Sequence, residues 1–190
     1  MDQLRPLTAF NREPITKLIE KHWGKIAPPT SGEKMARIRS VLHMMNQGKG
    51  DATNGKRLFT KHCATCHQLF GEGEKIGPDL TGVERANRQL LVTNLVDPNA
   101  VIRPEYLAHV ILTDDGRLLT GLITEQTAET ITLRNDKEKV VLPRSKIEQM
   151  KPATVSLMPE GLLDKFSDQE LRDLISYLQQ PERKNDMKKP

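Results

Sequence analysis

The sequence predicts a mainly α fold, α+β overall, in which a helical chain is interrupted by a small inserted antiparallel β-sheet. Three observations carry this. Apolar residues recur at helical spacing in the N-terminal half and again after Ser167. From Glu105 to Met150 the pattern changes to short Val-, Ile-, Leu- and Thr-rich runs between tight-turn signals. Of the 190 residues only 36% are hydrophobic and 4% aromatic, so side chains alone build a modest core, and a large apolar body enclosed by the chain would fit that shortage.

The elements follow in order. Pro14 to Trp23 is predicted helical, with Ile15, Leu18 and Ile19 at helical spacing. Pro28-Pro29-Thr30-Ser31-Gly32 breaks the chain and offers Thr30 or Ser31 as the N-cap of a second helix. That helix carries Met35, Ile38, Leu42 and Met45 on one face, expected to be core packing, and Gly48-Lys49-Gly50-Asp51 ends it. A third helix begins near Ala52 or Thr53 and runs through Gly55, Leu58 and Phe59 into a pair of cysteines. A Gly-rich loop from Phe70 to Leu80 follows, then a helix from Arg88 to Val96 stopped by Asp97-Pro98.

In the central stretch, Tyr106, His109–Leu112 and Leu118–Thr124 flank the turn Asp114-Asp115-Gly116. Thr130–Leu133 and Val140–Leu142 flank Asn135-Asp136-Lys137 as a second hairpin, and Ile147–Met150 adds a short fifth strand. Ser167, with Glu170 completing a capping box, opens a last helix to about Leu178. The expected division is 1–50 as an N-terminal helical extension, 51–104 with 151–180 as the core, 105–150 as the inserted sheet, and 181–190 as a flexible tail.

Lys+Arg number 29 against 25 Asp+Glu, a formal net charge of +4, well mixed and without a basic block dense enough for nucleic acid. No apolar run reaches bilayer length, so no membrane span is expected in this segment. The opening MDQLRPLTAF lacks a charged region followed by an apolar one, so no signal peptide is expected in it.

The chemistry lies in Cys63-Ala64-Thr65-Cys66-His67. Two thiols three residues apart on a helical turn can form thioethers with the two vinyl groups on one porphyrin edge. The next residue, His67, then comes beneath the iron as proximal ligand. One covalently bound haem c is the cofactor this spacing implies. A thioredoxin-like dithiol needs a βαβ context, which a helical stretch does not give. A zinc site needs four ligands, whereas only two cysteines occur and His22, His43, His62 and His109 lie singly. A Cys63–Cys66 disulfide would close a very small loop and stabilise little.

For the sixth iron position the choice is Met158, in the loop Ser156-Leu157-Met158-Pro159-Glu160-Gly161, with Met150, Met44, His62 and His109 as lesser candidates. The metal ligands expected are therefore His67 and Met158. Arg85 or Arg88 is a candidate propionate contact, with a plain surface charge as the rival expectation. Lys56, Lys61 and Lys75 are either steering charges for an acidic partner or ordinary solvated ones. Because covalent haem attachment takes place outside the cytoplasm, a periplasmic or otherwise extracytoplasmic location is expected, with this sequence a segment of a longer exported protein.

Over residues 51–82 and 156–180 the sequence resembles class I cytochromes c. Gly55 and Phe59 match that family's first helix, and Tyr177 matches the aromatic on its last. Ile76-Gly77-Pro78-Asp79-Leu80 matches the loop beside the proximal His. The resemblance implies that Gly77 and Pro78 belong to the haem site and that the Pro78 carbonyl accepts the His67 Nδ1–H bond. Roughly 11–180 is also similar to the haem-binding domain near the C-terminus of large planctomycete-type dehydrogenase-like proteins. The residues that carry this are Lys21-His22-Trp23-Gly24, the Cys motif, Gly77-Pro78-Asp79-Leu80-Thr81-Gly82, Asp97-Pro98 and Ser156–Leu163.

The implied role is single-electron transfer rather than catalysis, from a redox partner or adjoining dehydrogenase domain to another carrier. The alternative is a haem peroxidase or gas sensor with an open or labile sixth position. The inserted sheet is expected either to dock a partner or second copy through an edge strand or to cover the distal side of the haem.

Overall fold

Ser31 starts the first described helix by accepting the Lys34 N–H on its hydroxyl, which satisfies one of the donors a helix start leaves unpaired. The computed structural model describes residues 17, 21, 25–26, 30–153 and 155–181. Apart from Lys17 and Lys21, the helix predicted from Pro14 to Trp23 lies outside them, as do His22-Trp23-Gly24, Pro28-Pro29 and the tail beyond Pro181. The chain divides into two compact units, Ser31–Asp97 with Pro159–Pro190, and Met1–Thr30 with Pro98–Met158.

The first unit holds four helices among the described residues: α1 (Gly32–Met45), α2 (Ala52–His62), α3 (Arg88–Val96) and α4 (Asp168–Leu178), with a 3-10 turn at Leu162–Lys165. α1 buries Ile38, Val41 and Met44. The expected face of Met35, Ile38, Leu42 and Met45 is therefore corrected: Met35 is exposed and Leu42 and Met45 are only half-buried. Both stripes satisfy a helical period, and packing of α1 against α3 and α4 selects the one turned toward them. α2 starts at Asp51, whose carboxylate accepts the Thr53 N–H at 2.8 Å. α4 starts at Ser167 with the full capping box to Glu170.

α2 and α4 cross at Gly55, where an added Cβ would overlap the Asp173 carbonyl oxygen. That approach brings the Phe59 and Tyr177 rings to 5.6 Å between centroids and buries Phe59, Leu171, Leu174, Ile175 and Leu178 almost completely. Each such side chain contributes roughly 1.5–3 kcal/mol of transfer free energy, so this crossing is the main apolar core of the unit.

Arg85 corrects an expectation. It is neither a surface charge nor open to a ligand: it is buried, with one guanidinium nitrogen donating to the Leu178 and Gln180 carbonyls at 2.6 and 2.8 Å and another to Thr81 at 3.2 Å. α4 has no basic residue in its own last turn, and Arg85 supplies the positive charge that a helix C-terminus favours. Its guanidinium also lies 4.9 Å from the Phe70 ring centre. Arg85→Met is expected to lower stability by about 2 kcal/mol, because it leaves buried carbonyls without donors; a urea midpoint unchanged from the parent's would refute this. Arg88, by contrast, is exposed at the start of α3.

In the second unit, β1 (Lys25–Ile26) pairs antiparallel with β2 (Val101–Ile102). β3 (His109–Thr113), β4 (Leu118–Gln126), β5 (Thr130–Arg134), β6 (Lys139–Pro143) and β7 (Ile147–Pro152) form an antiparallel sheet ordered β6-β5-β4-β3-β7. β4 is long enough to serve two partners: Leu118–Gly121 pair with β3 and Leu122–Gln126 with β5. Ile111, Ile131, Leu133 and Leu142 form the sheet's buried cluster. Tyr106, expected beside the first strand, sits in a 3-10 turn at Pro104–Tyr106, where Pro104 fixes the backbone angle. The strand expected at Ile147–Met150 runs on to Pro152.

Candidate functional site

α2 delivers the cysteine motif. Its last carbonyls are still engaged when the chain reaches Cys63, whose N–H donates to Phe59. The motif then makes one further turn, with the N–H groups of Cys66 and His67 both donating to the Cys63 carbonyl at 3.0 and 2.8 Å. The following loop folds back onto it: Ile76 and Gly77 donate to the Cys66 carbonyl, Glu74 to Ala64, and Leu80 to Gln68. Phe70 takes a left-handed backbone conformation (φ 53°), held by its N–H bond to the Thr81 hydroxyl at 2.8 Å and by edge-on contact with Tyr177. Sequence reasoning passed over Phe70 and Thr81; a bulky residue before Gly71 in a Gly-rich loop was the available signal.

His67 is oriented from two sides. Its Nδ1–H donates to the Pro78 carbonyl oxygen at 2.9 Å. A carbonyl can only accept, so Nδ1 carries the proton and the neutral ring presents its lone pair at Nε2. Among the described residues nothing hydrogen-bonds to Nε2. Gly77 lies against the ring: a Cβ there would come within 2.6 Å of His67 Cε1 and 2.9 Å of Nδ1, so only glycine lets the backbone pass this close. Burial lowers the ring's pKa while the Pro78 bond raises it, with burial prevailing, so the imidazole is held neutral.

Cys63 is buried and Cys66 half-buried, and both are free thiols. Burial, and then the neighbouring Cys66, push the Cys63 thiol up to about 12. Surroundings that penalise a thiolate suit an uncharged thioether. Two thiols one turn apart, followed by an oriented neutral imidazole with its Nε2 lone pair available, form a donor set that fits haem c. The rival expectations fit less well: the two thiols are unbonded, and among the described residues no group of three or more His, Cys, Asp or Glu gathers to hold a metal ion.

The remaining candidates are dispersed. Met158 is the last residue of the sheet unit, half-buried, its N–H donating to the Ser156 hydroxyl at 3.1 Å. Met44 is buried in α1, and Met150 is exposed on β7. His62 stands edge-on to Phe166, with ring centroids 5.0 Å apart. His109, on β3, has a buried Nδ1 without a partner among the described residues. Lys56 pairs with Glu72 at 2.7 Å, while Lys61 and Lys75 are exposed.

Residues 52–93 match the family model for cytochrome c. The chain carries a cytochrome c domain. It is 56% identical over 36 residues to cytochrome c of Cochliobolus lunatus, covering 18% of this chain and 33% of that protein. The same identity over 36 residues holds for cytochrome c of Arabidopsis thaliana, covering 18% and 32%. A cytochrome c-553-like protein of Synechocystis sp. is 34% identical over 59 residues, 30% of this chain and 55% of that one. The chain thus spans about a third of the length of the first two relatives. The cytochrome c domain binds covalently attached haem c and is an electron-transfer module. No helix among the described residues is long and apolar enough to cross a membrane.

Proposed function

We propose that this chain is a monohaem electron carrier in which Cys63 and Cys66 form the two thioethers and His67 and Met158 are the axial iron ligands. In this proposal it accepts electrons from a dehydrogenase, in the same protein or a partner, and passes them to another carrier outside the cytoplasm, as in the planctomycete-type proteins it resembles. The haem, once bound, supplies one-electron redox chemistry. The protein's part is to hold and tune it. Pro78 fixes the tautomer and orientation of His67 and raises the basicity of Nε2. Gly77 lets the loop backbone lie against the ring, and burial keeps the ring neutral. Met158 would supply a soft, neutral thioether that favours the reduced iron over a second imidazole.

The observation that supports this best is the His67–Pro78 bond with Gly77 packed on the ring, since it readies Nε2 for a metal. The test is a pyridine haemochrome spectrum of the matured holoprotein. The parent should give the signature of two thioethers, Cys63→Ala or Cys66→Ala that of one, and the double variant should surrender its pigment to acid-acetone. Pigment extractable from the parent would refute the attachment. Retention of the near-infrared sulfur-to-iron band in Met158→Ala would refute that ligand alone.

A further inference from the structure

Lys34, in the first turn of α1, makes two ion pairs with one ammonium. It reaches Asp97 Oδ1 at 2.8 Å and Glu160 Oε1 at 2.6 Å, joining residues 63 and 126 positions away in sequence. Asp97 caps the C-terminus of α3 with its side chain only 5% exposed. A carboxylate buried at the negative end of a helix needs a counter-charge, and Lys34 provides it while keeping enough reach to engage Glu160 on the other side. The two carboxylates hold Lys34 in its charged form, raising its pKa chiefly through the Asp97 bond and then the Glu160 bond. Arg37 and Asp164, 3.2 Å apart, add a second tie between α1 and the 3-10 turn that follows Glu160. These residues line a cavity of about 300 Å³ with Leu95, Val96 and Leu163, so the ties span open space instead of packed side chains.

Glu160 is two residues beyond Met158. Within the sheet unit the other flank of Met158 is also tied: the Ser156 N–H donates to Asn99 Oδ1 at 2.7 Å, and the Ser156 hydroxyl accepts the Met158 N–H. The segment Asp97-Pro98-Asn99 therefore supplies an anchor to each side of Met158 in sequence. The anchor on the Asn99 side is a direct bond, whereas the one on the Asp97 side exists only through Lys34.

We propose that Lys34 is a positioning residue for the sixth iron ligand, holding Glu160 against Asp97 so that the short span from Ser156 to Glu160 presents Met158 in one conformation. This rests on Met158 being that ligand. Without Lys34 the C-terminal anchor is released, the thioether is held less firmly, and a competing ligand displaces it more easily.

The experiment compares ferric holoprotein of the parent, Lys34→Met, Lys34→Arg, Glu160→Gln and Met158→Ala. The readouts are the intensity of the near-infrared sulfur-to-iron band and the affinity for added imidazole. Lys34→Met should weaken the band and bind imidazole roughly tenfold more tightly, Glu160→Gln roughly threefold, on the scale of ion-pair couplings. Lys34→Arg, whose guanidinium can engage both carboxylates, should stay near the parent. If Met158→Ala keeps the band, the ligand assignment falls and this proposal with it. If Met158→Ala loses the band while Lys34→Met and Glu160→Gln bind imidazole as the parent does, the Lys34 proposal alone is overturned, even if their melting temperatures drop. Should Lys34→Met fail to fold, Glu160→Gln, altered at a largely exposed side chain, decides the matter by the same two readouts.

Discussion

Gly55→Val is expected to lower the stability of the holoprotein by about 4 kcal/mol or more, a large part of the 5–15 kcal/mol that holds a domain folded. The reason is geometric. A Cβ at this position meets the Asp173 carbonyl oxygen and lies 2.8 Å from Tyr177 Cβ, and the first of these is backbone that cannot rotate away. Overpacking against movable side chains costs roughly 1–3 kcal/mol; here α2 and α4 must separate instead. Separation disrupts the Phe59–Tyr177 contact and the burial of Leu174 and Ile175 together. It also displaces the helix that ends at Cys63. Gly55→Ala, with one carbon, should lose about 2–3 kcal/mol. Urea unfolding followed by far-ultraviolet circular dichroism and by haem absorbance checks both. An unchanged midpoint in Gly55→Ala would mean that the two helices are not in this contact.

What was legible in the sequence is what local chemistry decides. Ser31, and Ser167 with Glu170, announce helix starts because a hydroxyl and a carboxylate three residues apart satisfy orphan N–H groups wherever they occur. Arg88–Val96 was read to its observed ends because Asp97-Pro98 cannot continue a helix. Both hairpins followed from their Asp-Gly and Asn-Asp turns. The cysteine pair and His67 were legible because three ligating side chains fall within five residues, while the partnership of Pro78 with His67 came from resemblance, since nothing local ties a carbonyl eleven positions away to that ring. The illegible features all depend on a distant partner. Val41 displaced Met35 from the core face of α1 because the packing of α3 and α4 selects between overlapping stripes. Arg85 looks like any surface charge until Leu178 and Gln180 arrive from more than ninety residues away. Lys34, Asp97 and Glu160 are unremarkable singly, and only the fold assembles them.

Asp173 belongs to the same illegible class, and its replacement should have the second large effect. It lies in α4, almost fully buried, and grips the start of α2: Oδ1 accepts the Asp51 N–H at 2.8 Å and the Gln169 side-chain amide at 2.7 Å, while Oδ2 accepts the Asn54 amide at 2.7 Å. Burial alone would push this carboxyl's pKa up. The bonds from Asn54, Asp51 and Gln169, with the charge of Arg172, overcome that and hold it below its ordinary value. A carboxylate with a folded pKa below its unfolded one contributes stability that is complete above the unfolded value, near 3.9, and is lost as pH falls through the lower folded value. Asp173→Asn keeps the shape but sets an NH₂ group against at least one donor. At neutral pH it should therefore cost about 3 kcal/mol, the scale of removing a charged acceptor from buried donors. As pH drops through the range where the wild-type carboxyl takes up its proton, that difference should shrink, because the native site loses the same charge. Urea midpoints of both proteins between pH 7 and about 2 measure this. A gap that stays constant across the range would show that Asp173 stabilises the α2–α4 crossing by its shape alone, with its ionisation contributing nothing.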